Sequence, residues 1–134
     1  MYMENRTESE WVRIACDLSR NKEERIQAAF HLENAKEDKS LLALCKGLMV
    51  DPSPIVRHEF AFSLGETAHP TLVAPYLMRA VKEDTNIFVR HEAILALATL
   101  GKREFIPFVE SFLNDPSEEM RESAEIALER LRTP

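Results

Sequence analysis

Apolar residues recur along this chain at intervals of three and four, as in Leu41, Leu44, Cys45, Leu48 and in Phe105, Phe108, Val109, Phe112. That spacing keeps one face of a helix apolar. No stretch alternates cleanly between apolar and polar residues, and no Asn-Gly or Asp-Gly hairpin turn occurs. The pattern predicts an all-α chain. Its helices are expected in pairs, at 8–19 and 22–35, 39–50 and 54–67, 72–83 and 87–100, and 104–114 and 118–132. Punctuation supports these limits. Asp51-Pro52-Ser53-Pro54 and Asp115-Pro116-Ser117 end one helix and start the next. Ser53 is a good N-cap, and Pro54 at the first helical position sacrifices no hydrogen bond. Asn86 is expected to cap likewise, and Asn21 with Glu24 reads as a capping box. Pro75 and Pro107 are placed near the start of the first helices of units three and four.

The second helices are copies of one another. Arg25-Ile-Gln-Ala-Ala-Phe-His-Leu32, Arg57-His-Glu-Phe-Ala-Phe-Ser-Leu64, Arg90-His-Glu-Ala-Ile-Leu-Ala-Leu97 and Arg121-Glu-Ser-Ala-Glu-Ile-Ala-Leu128 stack without gaps. Their arginines are 32, 33 and 31 residues apart. A period in the low thirties with two helices per unit means an α-solenoid, in which neighbouring units share a continuous core. Asp51, Asp84 and Asp115 each precede Arg57, Arg90 and Arg121 by six residues. Each aspartate is therefore expected to pair with the arginine of its own unit, as a structural ladder. Trp11, Phe60, Phe62, Phe88, Phe105, Phe108 and Phe112 fall at helical spacing and are assigned to the core.

Composition narrows the function classes. The chain has 134 residues, 45% hydrophobic and 30% charged, with 17 Lys+Arg against 23 Asp+Glu and a net charge of -6. One domain, 1–134, fits that length. The acidic balance argues against a nucleic-acid partner, which requires a surplus of cations. No apolar run reaches the roughly 20 residues a membrane span needs. The opening Met1-Tyr2-Met3-Glu4-Asn5-Arg6 lacks a signal-peptide pattern, so a cytoplasmic location is expected. Cys16 and Cys45 are read as reduced, buried thiols.

In a solenoid the informative positions are polar and differ between units. After the repeated arginine, the central units carry His58-Glu59 and His91-Glu92, whereas the outer units carry Ile26-Gln27 and Glu122-Ser123. Second helices of neighbouring units lie about 8–10 Å apart, so both imidazoles face one surface. Two imidazoles and a carboxylate form a common ligand set for a borderline metal, and with open positions they suit non-haem iron. The same four residues also read as a solvated acidic face, and spacing alone leaves both readings open. His31 is expected to serve helix packing or the surface, and His69 to sit solvated in a turn. Phosphate-loop, nucleophile-elbow and Cys-x-x-Cys motifs are absent from the sequence.

Ile55-Val-Arg-His-Glu-Phe-Ala-Phe-Ser-Leu-Gly-Glu66 and Asn86-Ile-Phe-Val-Arg-His-Glu-Ala-Ile-Leu-Ala-Leu97 resemble the paired His-Glu repeats of deoxyhypusine hydroxylases, a family of HEAT-repeat di-iron monooxygenases. Arg25–Asn34 resembles the opening repeat of each half in that family, and Met120–Leu128 the closing one. The resemblance covers about residues 22–132. It implies a HEAT-like α-α superhelix of four helix pairs and iron as cofactor. It further implies His58, His91 and Glu92 as metal ligands, and Glu59 as the residue near a substrate amine.

The family's chain has eight repeats in two similar halves, with its di-iron centre between them. This chain has four. The resemblance therefore implies a homodimer that shares two irons across a two-fold axis, O2-dependent hydroxylation of an amine-bearing substrate, and a protein as substrate or partner. Two other classes remain open from sequence. One is a non-enzymatic HEAT-repeat interaction module, whose concave face binds a protein. The other is a protein similar to the HEAT-like bilin lyases.

Overall fold

The computed structural model describes residues 5–134, and the described residues fold into helices joined by short turns, with no strand. Met1, Tyr2, Met3 and Glu4, most of the opening segment weighed for a signal pattern, lie outside the described residues. The helices are α1 (Glu8–Ala15), α2 (Lys22–His31), α3 (Asp38–Val50), α4 (Pro54–Gly65), α5 (Pro70–Glu83), α6 (Ile87–Leu100), α7 (Ile106–Glu110) and α8 (Glu118–Arg132), with a 3-10 turn at Arg103–Phe105 before α7. No described helix is long and apolar enough to cross a membrane.

Helix starts follow the predicted capping chemistry. The Asn21 side chain accepts from Glu24 N while the Glu24 carboxylate accepts from Asn21 N, a complete capping box. Thr7 and Glu10 form a second one on α1. Ser53, Asn86 and Ser117 cap α4, α6 and α8 with their side-chain oxygens. Each such bond satisfies an otherwise orphan backbone donor. Helix ends depart from expectation where local polar groups compete with the helix. The α1 helix stops at Ala15, because Asp17 accepts from both Ser19 N and Ser19 Oγ and closes a turn of its own. The region 104–114 is a 3-10 turn and one short helix rather than a continuous helix. Pro75 stands within α5, five residues after its start at Pro70, rather than at its N-terminus.

The helices pair as α1/α2, α3/α4, α5/α6 and α7/α8. Inner helices α2, α4, α6 and α8 each contact the next, while α1, α3 and α5 form the outer row. Apolar residues between the rows make one core, in which Leu41, Leu44, Phe60, Leu64, Leu77, Ile94 and Leu97 are fully buried. Helices α4 and α6 approach closely at Gly65, where an added Cβ would stand 2.9 Å from the Ala96 Cβ. Gly101, at φ 78, supplies the left-handed residue that ends α6.

The arginine ladder exists, but its register is shifted by one unit. Arg25 pairs with Asp51 of the next unit through Nε–Oδ2 at 2.9 Å and Nη2–Oδ1 at 3.1 Å, both side chains buried. Arg57 pairs with Asp84 in the same two-pronged way, and Arg90 approaches Asp115 at 3.6 Å. Within its own unit the arginine reaches backbone instead: Arg57 Nη1 donates to Asp51 O at 2.9 Å, and Arg121 Nη1 to Asp115 O at 2.8 Å. The aspartate oxygens meanwhile accept from the backbone N–H of Ser53, Asn86 and Ser117. Each aspartate thus fixes its own helix start and receives the preceding unit's arginine. That double bond-set holds successive inner helices in register.

Three core assignments are corrected. Cys16 is exposed, while Cys45 is buried and its thiol is pushed up to about 12 by loss of water. The two cysteines are free. Phe62 and Phe88 are exposed, at 44% and 69%. Both lie on the histidine-bearing side of their helices, since Phe62 is four residues after His58 and Phe88 three before His91. His31 stacks on Trp11 with ring centroids 4.0 Å apart, the packing role expected of it. His69 stands exposed just before α5.

Candidate metal centre

The residue after each ladder arginine faces away from the outer row, so the His-Glu pairs of α4 and α6 lie on the inner surface. Helix spacing set by Gly65 and the ladder brings those pairs together. His58 Nε2 lies 3.2 Å from Glu92 Oε1 on the neighbouring helix, and His58 Nδ1 lies 2.9 Å from Glu59 Oε2. Glu92 is the least exposed of the three, with its side chain 17% accessible. The hydrogen bond to Glu92 raises the His58 pKa most, Glu59 adds to the rise, and burial opposes it.

His91 makes the equivalent inter-helix contact one unit further on. Its Nδ1 lies 2.5 Å from Ser123 Oγ, and Ser123 holds in α8 the slot that Glu92 holds in α6. The structure therefore joins His58, Glu59 and Glu92, and turns one edge of His91 to Ser123 instead. Ser123 was not singled out from sequence. The signal for it was a hydroxyl in the glutamate slot of a repeat that lacks the histidine.

Apolar residues flank this polar row on both sides. Ile55 and Phe88 stand two residues before the ladder arginine in the central units, where the outer units carry Glu23 and Glu119. Five residues after it stand Phe30, Phe62, Leu95 and Ile126, of which Phe30, Phe62 and Ile126 are exposed. Open clefts of about 380 and 390 Å³ contain His58 and His91 respectively, and Phe88 borders both. A third, of about 310 Å³, lies beside Glu59 between Phe30 and Phe62 and also contains Glu33. Burial raises the Glu33 carboxyl, a Ser63 hydroxyl bond opposes the rise, and Glu66 adds to it.

The donor types suit a borderline ion. His58 Nε2 and Glu92 Oε1 are separated by 3.2 Å. Two neighbouring ligands with bonds of about 2.1 Å at a right angle stand about 3 Å apart, so this pair already has the spacing of adjacent ligands. Among the described residues no three His, Cys, Asp or Glu stand together as a complete ion site. Two of the three expected ligands converge, and the set within one chain is partial.

Four stacked helix pairs with a His-Glu row on the inner helices define a helical-repeat protein with a polar centre on its inner-helix face. The chain belongs to the HEAT-repeat family, whose profile matches residues 41–129. Over 107 residues it is 38% identical to deoxyhypusine hydroxylase of Candida albicans, covering 79% of this chain and 33% of that protein. It is 36% identical over 109 residues to deoxyhypusine hydroxylase of Danio rerio, covering 81% of this chain and 35% of that one. A solved structure of human deoxyhypusine hydroxylase in complex with glycerol superposes with a TM-score of 0.84 at 33% identity, covering 96% of this chain and 44% of the human chain. The resemblance read from the two Arg-His-Glu repeats thus extends to the whole four-pair fold. The chain spans about a third of the length of the curated relatives it matches.

Proposed function

We propose that this chain is a non-haem iron hydroxylase of amine-bearing substrates, similar to deoxyhypusine hydroxylase, working as a homodimer with two irons per dimer. In each subunit His58, His91 and Glu92 hold iron, and Glu59 meets the substrate ammonium. The observation that carries the reading is the convergence of His58 Nε2 and Glu92 Oε1 from adjacent repeats. It is a two-ligand edge built by two different helices.

A ligand set that is partial among the described residues favours a site completed by a second copy. A two-fold interface sets identical patches face to face, so the His-Glu rows of two subunits would meet. The exposed Ile55, Phe62, Phe88 and Ile126 around those rows suit burial in such a contact.

Iron, when bound, supplies the activation of O2. The protein groups do the rest. The imidazoles present neutral nitrogen, Glu92 supplies the anionic ligand, and the apolar flanks exclude water. Glu59 balances an ammonium, which could not be desolvated without a carboxylate partner. Deoxyhypusine on a translation factor is the first substrate to test.

The test incubates iron-loaded protein, reductant and O2 with a deoxyhypusine-bearing peptide or protein, and follows mass. The expected product carries one added oxygen atom, and His58→Ala, His91→Ala and Glu92→Ala each abolish it. Oxygen insertion that survives all three substitutions, or an iron-loaded dimer inert towards every amine-bearing substrate offered, would contradict the reading.

A further inference from the structure

The hydroxyl of Ser123 makes two contacts that together fix where its proton lies. Ser123 Oγ stands 2.7 Å from Glu119 O, one turn earlier on α8. A backbone carbonyl only accepts, so the single hydroxyl proton is committed to it. What remains on Oγ is acceptor capacity. His91 Nδ1 lies 2.5 Å from that oxygen and must therefore be the donor. A neutral imidazole with its proton on Nδ1 carries its lone pair on Nε2.

We infer that Ser123 is the positioning residue of His91, holding it as the Nδ1–H tautomer with Nε2 free as the ligand atom. The inference rests on the metal-site reading for its purpose, although the tautomer itself does not require metal. His91 Nε2 has no hydrogen-bond or ion-pair partner among the described residues, and the ring borders the open cleft beside Phe88 and Ile126. His58 stands differently. There both ring nitrogens face oxygens that only accept, Nδ1 at Glu59 Oε2 and Nε2 at Glu92 Oε1, so its neighbours select no single neutral tautomer. Of the two histidines at this repeat position, His91 is the one set in a single tautomer, by a hydroxyl on the next helix. Second partners of this kind orient a ligating imidazole and raise its basicity.

Ser123 is also held rigidly. Its residue is 1% exposed, and the back-bond to Glu119 O selects one rotamer. Alanine fits that space, so Ser123→Ala removes the acceptor without disturbing the fold. Threonine restores it, because its hydroxyl makes the same back-bond in a helix.

The experiment is long-range proton–nitrogen NMR on metal-free, ¹⁵N-histidine-labelled protein at a pH where His91 is neutral, followed by anaerobic titration with Fe(II). Wild type is expected to show Nδ1 protonated and Nε2 bare. Ser123→Ala should shift His91 towards the Nε2–H form and weaken Fe(II) binding about 10- to 100-fold. Ser123→Thr should restore both readouts. A His91 tautomer unchanged in Ser123→Ala, or Nε2–H in wild type, would overturn the inference. If wild type shows the Ser123-dependent tautomer but binds no iron, the tautomer assignment stands and the hydroxylase reading falls.

Discussion

His58 Nε2 and Glu92 Oε1 lie 3.2 Å apart on neighbouring inner helices, although they are 34 positions apart in the chain. That contact is possible because α4 and α6 meet at Gly65 and Ala96, and because the Arg57–Asp84 pair keeps the units in register. It also sets the protonation behaviour of the site.

The hydrogen bond to Glu92 is the largest cause of the raised His58 pKa, ahead of the bond to Glu59. Glu92→Gln is therefore expected to lower the His58 pKa more than Glu59→Gln does. Proton NMR titration of the metal-free variants reads this directly. Equal shifts, or a larger one from Glu59→Gln, would contradict the geometry.

The same coupling predicts a pH dependence of stability. His58 binds its proton more tightly folded than unfolded. The resulting stabilisation is fully present below the ordinary imidazole value, and is lost as pH rises through the raised folded value. Urea melts of the metal-free protein across that window should show stability falling with rising pH, with a shallower fall in His58→Ala. Metal binding runs the other way, since the ion must displace the His58 proton, and should strengthen as pH rises.

The shifted ladder predicts a contrast between two ion pairs. Asp51→Ala strands the buried Arg25 and should cost about 3–5 kcal/mol. Arg79→Ala breaks the exposed Arg79–Glu83 pair and should cost only about 0.5 kcal/mol or less. Denaturant midpoints decide between them. Comparable losses would mean that the ladder does not hold the units together.

Much of this was legible in the sequence. The gapless stack of four arginine-led segments fixed the number of units, and Asn21, Ser53 and Asn86 marked helix starts by their chemistry. Which aspartate each arginine chooses was not legible. Asp51 is six residues from Arg57 and twenty-six from Arg25, and only the superhelical stagger carries its side chain to the more distant one. The burial of Phe62 and Phe88 was misread for a related reason. Helix α6 is apolar nearly all round, so periodicity shows that it is a helix without showing which apolar residues face the core. His58, Glu59, His91 and Glu92 stood out as breaks in a repeat, whereas Ser123 became visible only once α6 and α8 were side by side.

Exposed apolar residues around the His-Glu row give a prediction for assembly. Phe88 is 69% exposed, so Phe88→Glu should leave the fold intact. It should also shift the protein from dimer to monomer in sedimentation or light scattering. A wild type that is already monomeric at high concentration, or a variant that remains dimeric, would remove the inner face as the contact.

The central claim is a shared iron site, and metal content measured together with size tests it most directly. Protein produced with added iron is expected to run as a dimer carrying about one iron per chain, as a two-fold shared centre requires. Protein that holds no iron after anaerobic reconstitution, whatever its size, would contradict the account and leave the His-Glu row as a protein-binding surface.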